Sequence, residues 1–110
     1  MELYKRLTAL VNDVLDIPMN LCGIELKKRK KDGGEIETSV EIVAEVPKGT
    51  KYFSKCRITV KCPEVSLPVT NADLETDDYN VVFENLQVSM VSNFRCYLRA
   101  DAFHITREEN

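Results

Sequence analysis

Two groups of cations with aromatic neighbours are the side chains best suited to do chemistry. Lys55, Arg57 and Lys61 recur at alternate positions of one segment, and Arg95, Tyr97 and Arg99 do the same in another. Tyr52 and Phe53 stand just ahead of the first group. Single-stranded nucleic acid requires cations along its phosphates and flat rings for its bases. Arginine serves both ends, because its planar guanidinium also stacks. The basic run Lys27 to Lys31, with Lys28, Arg29 and Lys30 at its centre, could add a basic arm. A plainer reading stands beside this one. Glu37, Glu41 and Glu45 alternate along the preceding segment, and antiparallel pairing would set them opposite Lys55, Arg57 and Lys61 as cross-strand ion pairs.

Other chemistries find less support. Cys22, Cys56, Cys62 and Cys96 include no CxxC pair, so the zinc signature is absent and free, buried thiols in a reducing compartment are expected. His104 is the single histidine, and there is no GxSxG, HExxH or phosphate-cradling glycine loop. Asp73, Glu75, Asp77 and Asp78 lack the glycine and distal glutamate of a calcium loop. The chain is therefore read as a non-enzyme with no cofactor and no metal.

The elements that must position these residues follow from periodicity. Leu3, Leu7, Leu10, Val11 and Val14 have helical spacing, and Pro18 stops the helix. Residues 20–28 read as a strand that turns at Asp32-Gly33-Gly34. Residues 35–46 alternate with Ile36, Thr38, Val40, Ile42, Ala44 and Val46 inward. Residues 55–62 alternate with Cys56, Ile58, Val60 and Cys62 inward. A short helix is expected at 71–76, one or two strands at 79–91, a turn at Ser92-Asn93, a strand at 94–100 and a last strand from Phe103 to Thr106. The fold class is mainly β with one N-terminal helix. Five or six strands with a short helix between the third and fourth suit a small antiparallel, OB-like barrel. One domain spans 1–110, with the helix at 1–17 and the barrel at 19–107.

Composition agrees with a globular domain, at 110 residues, 44% hydrophobic and 30% charged. A net charge of -3 conceals a lopsided distribution. Residues 27–61 hold ten basic and five acidic groups, whereas 62–91 hold six acidic groups and no basic one. Attraction of the whole molecule to polyanions is not expected, but a local basic patch is. No apolar run reaches membrane-spanning length and no secretory signal is evident, so a cytoplasmic protein is expected.

The pattern Val81-Val82-Phe83-Glu84-Asn85-Leu86, followed by Tyr97-Leu98-Arg99-Ala100-Asp101-Ala102-Phe103-His104-Ile105, resembles small accessory proteins of integrative conjugative elements and related plasmids of Gram-positive bacteria. Those proteins share an early charged hairpin, matched here by Lys27 to Glu35. They usually begin with a strand where this chain has its helix. The resemblance implies an OB-like fold similar to single-stranded-DNA-binding proteins, with single-stranded DNA and a helicase as partners during DNA transfer. On that reading Arg95, Arg99, Lys55, Arg57 and Lys61 contact phosphates, and Tyr97, Tyr52 or Phe53 stack on bases. The rival expectation is a protein–protein interaction module, docking through the N-terminal helix to another protein or a second copy.

Overall fold

The computed structural model describes residues 2–64, 66–92 and 95–108, and the side chains of 4–64, 66–89 and 98–108. The chain order is α1 (Glu2–Asp13), β1 (Met19–Lys30), β2 (Ile36–Glu45), β3 (Arg57–Cys62), α2 (Asn71–Thr76), β4 (Tyr79–Glu84), β5 (Gln87–Ser92), β6 (Arg95–Arg99) and β7 (Ala102–Arg107). The strands form one seven-stranded sheet in the order β5-β6-β3-β2-β1-β4-β7. It curls into a half-barrel, and among the described residues β5 and β7 end it without pairing to each other. The mainly β class agrees with the expectation of a small antiparallel, OB-like barrel, but there are seven strands instead of five or six and they form half a barrel. One junction is also parallel: β3 pairs β6 through Val60↔Leu98 and Lys61↔Arg99. No described helix is long and apolar enough to cross a membrane.

The core is built from one face of the sheet and one face of α1. Val40, Ile42, Ala44, Val60, Cys62 and Val81 are fully buried, as is Leu10 of α1, which Leu7 and Val14 flank. Inward parity in β1 shifts along the strand. Met19 and Leu21 are buried at one end, Ile24 and half-buried Leu26 at the other. The register explains the change: Leu21 opposes Ala44 and Gly23 opposes Val43, so Cys22 is the extra residue of a bulge. The amide of Ile24, just beyond it, donates to Asn71 Oδ1 at 2.9 Å. That bond anchors the start of α2 on the free edge of β1.

The short helix falls where expected in the chain, with a capping box between Thr70 and Asp73. Its role in space differs from an OB helix, because α2 contributes only half-buried Leu74 at the edge of the core, whereas α1 supplies the fully buried helical side chains. Two readings of inward parity also need correction. Ile36 is 66% exposed. It and Thr38 lie where β1 and β2 have run past the rest of the sheet, since β3 pairs β2 only from Val40 onward. Lys55 and Cys56 precede β3 instead of belonging to it, because Phe53 and Lys55 adopt left-handed backbone with φ of 58° and 63°. Cys56 is consequently exposed. The expected Ser92-Asn93 turn and Phe94 reach residues 93 and 94, which lie outside the described residues.

Candidate nucleic-acid interface

The outer face of the sheet places the expected cations in register. Glu25, Glu41, Lys61, Arg99 and Gln87 form one row across five strands. Asn20, Glu45 and Arg57 form a second row. The opposition of glutamates and cations foreseen from the sequence is therefore present for Glu41↔Lys61 and Glu45↔Arg57. Actual charge pairing is partial. Lys61 Nζ lies 3.9 Å from Glu37 Oε1, the same carboxylate group that Lys31 approaches at 3.8 Å. Arg57 has no ion pair among the described residues, although Glu45 stands opposite. The cations are exposed and the carboxylates half buried, and such surface pairs contribute little, so they hold the cations only loosely.

Arg99 is held by a neutral partner. Its Nη2 donates to Gln87 Oε1 at 3.0 Å, Gln87 Nε2 donates to Asn85 Oδ1 at 2.9 Å, and Asn85 Nδ2 donates to Asp101 Oδ2 at 2.8 Å. The chain orients the guanidinium without neutralising it. Gln87 was not singled out from the sequence, because the register shift between Val88 and Met90 that sets it opposite Arg99 has no local sequence signal. Arg95 and Tyr97 take their places on β6, opposite Ser92 and Met90 of β5. Their side chains lie outside the described residues.

The aromatic pair near Lys55 is engaged locally. Phe53 packs against the core, half buried. The Tyr52 ring has the Arg6 guanidinium 5.7 Å and the Lys51 ammonium 5.3 Å from its centroid. Cations at this distance are attracted by the ring's quadrupole, so Tyr52 joins α1 to the loop before β3. Lys55 is exposed in that loop, away from the row that holds Lys61 and Arg99.

The β1–β2 arm is the most exposed basic element among the described residues. Over Lys27–Lys30 and Ile36–Ser39 the two strands pair only with each other. Gly33 and Gly34 turn the arm with φ of 94° and 88°, and Lys31 N–H donates to Glu35 O at 2.7 Å to close it. Strand alternation puts Lys27 and Arg29 on one side and Lys28 and Lys30 on the other. Lys27 pairs with Glu25 at 3.3 Å. Lys28, Arg29 and Lys30 form no ion pair among the described residues, despite Glu37 standing opposite Arg29. Cations thus line both sides of the two-stranded ribbon, with exposed Asp32 and Glu35 at its tip.

No known protein family, curated protein or solved structure matches the chain.

Proposed function

We propose that this protein binds single-stranded nucleic acid without catalysing a reaction on it. The observation that carries the reading is the β1–β2 arm, on which Lys28, Arg29 and Lys30 are exposed on both sides and in no ion pair among the described residues. Arg57, Lys61 and Arg99 extend the track over the outer face of β3 and β6, with Arg95 and Tyr97 continuing along β6. Phosphates would follow these cations, and affinity would fall steeply as salt rises, because binding releases condensed counterions. Glu25, Glu37, Glu41 and Glu45 keep that face close to neutral, which puts the weight on the arm. In keeping with the resemblance, the setting we propose is the handling of single strands beside a helicase during mobile-element transfer.

Docking through α1 is the weaker reading. Leu7, Leu10 and Val14, the stripe a partner would need, are spent on the chain's own core. Fluorescence anisotropy with a labelled oligothymidylate, competed by unlabelled single and double strands, tests the proposal. Saturable binding displaced first by the single strand is expected. Absence of binding at low ionic strength, or equal displacement by duplex, would overturn it.

A further inference from the structure

The sheet's last strand is built to receive another. Among the described residues β7 pairs with β4 alone. Glu108 N–H donates to Asp78 O at 2.7 Å. By the alternation of an antiparallel ladder, the even positions of β7 then bond to β4, and the amides of Phe103, Ile105 and Arg107 point to the open edge. An unpaired row of backbone donors and acceptors is a template for a further strand unless the edge is guarded. The edge is lightly guarded: β7 keeps an unbroken register over six pairs, contains neither proline nor lysine, and carries its one permanent charge, Arg107, at its end. The opposite end strand, β5, carries a bulge between Val88 and Met90 that breaks its regularity. Phe103 and Ile105 also pack on the core while remaining only half buried, so the apolar layer stops short at this edge.

We propose that β7 pairs antiparallel with β7 of a second copy of this chain, centred on His104. The strand's own sequence identifies the occupant. Read antiparallel about His104, Asp101-Ala102-Phe103-His104-Ile105-Thr106-Arg107 complements itself. Phe103 meets Ile105 of the second copy on the apolar face. Ala102 meets Thr106, and Asp101 meets the opposite charge of Arg107. Centring on Ile105 would instead oppose Phe103 with Arg107, and a one-residue slip would turn the apolar face onto the polar one. Arg107 keeps its ion pair with Asp77 at 3.0 Å and Asp101 its bond to Asn85, both exposed enough to accept a further neighbour. The contact is isologous and joins two half-barrels through one continuous sheet.

At the dyad, His104 faces its own counterpart in a non-hydrogen-bonded pair, with Cα atoms about 4.5 Å apart. A disulfide spans that distance. The full chain is expected to sediment as a dimer over a rising concentration series. His104→Cys is expected to cross-link on mild oxidation at residue 104, whereas Thr106→Cys, equally exposed but opposite Ala102, stays at the wild-type level set by exposed Cys56. His104→Lys keeps a partner for Glu84, which lies 3.3 Å from His104 Nε2, but sets like charges across the dyad. It is expected to weaken the dimer about fivefold while leaving the thermal midpoint of the diluted monomer unchanged. A chain that is monomeric throughout, or a dimer in which His104→Cys and Thr106→Cys cross-link alike, would overturn the pairing. Neither result depends on nucleic-acid binding.

Discussion

Lys61 lies between two fates, with Glu41 opposite it, Glu37 at 3.9 Å and Arg99 as its neighbour on β6. An exposed pair of that length is worth well under about 1 kcal/mol, so Lys61→Ala is expected to leave the urea midpoint almost unmoved. Asn71 differs, because its Oδ1 is what the Ile24 amide has in place of a strand partner. Asn71→Ala is expected to cost about 1 kcal/mol in a urea titration. Cys62 is fully buried, and desolvation, with Glu64 adding to it, pushes its thiol from 9.0 up to about 12. An unfolded thiol ionises near 9.0 and the folded one does not. The contribution of Cys62 is therefore complete below pH 9 and is lost as pH rises from there through about 12. Iodoacetamide at pH 8 is expected to label exposed Cys56 in the native state and Cys62 only after unfolding, as mapped by peptide mass spectrometry.

At the scale of elements, α1 and the arm have opposite energetics. Leu10 is completely buried in the shared core, and Leu10→Ala is expected to destabilise the protein by about 2–5 kcal/mol in urea unfolding. The arm shares in no such core, so charge reversals there are expected to leave the unfolding midpoint within about 0.5 kcal/mol. Its hairpin was legible in the sequence, because Asp32-Gly33-Gly34 between alternating segments leaves the chain little else to do. The inward sets of β2 and β3 were legible for Val40 to Val46 and Ile58 to Cys62, where alternation is strict and one face is apolar. Ile36 was misread because alternation says which face a residue takes, not whether anything covers that face. Cys56 was misread because left-handed Phe53 and Lys55 end the period before it. The Cys22 bulge and the parallel β3–β6 pairing left no local trace, since register and partner are decided by contacts distant in sequence.

At the scale of the whole molecule, the sheet carries acid and base in rows that nearly cancel, and one arm on which they do not. The opposition of Glu41 to Lys61 and Glu45 to Arg57 could be read from spacing alone. That Glu37 serves Lys61 and Lys31 together, and that Arg99 rests on Gln87, required the pairing of β3 with β6 and β5 with β6. The proposed binding therefore has its strongest salt-sensitive contacts on Lys28, Arg29 and Lys30. Its most direct test compares the slope of log affinity for a labelled single strand against log salt concentration in the wild-type chain and in the triple variant Lys28→Glu, Arg29→Glu, Lys30→Glu. Each lost phosphate contact lowers the slope by about 0.7, so a drop of roughly 2 is expected, with affinity at low salt falling at least about a hundredfold. A variant that binds with the wild-type slope and affinity would contradict the account.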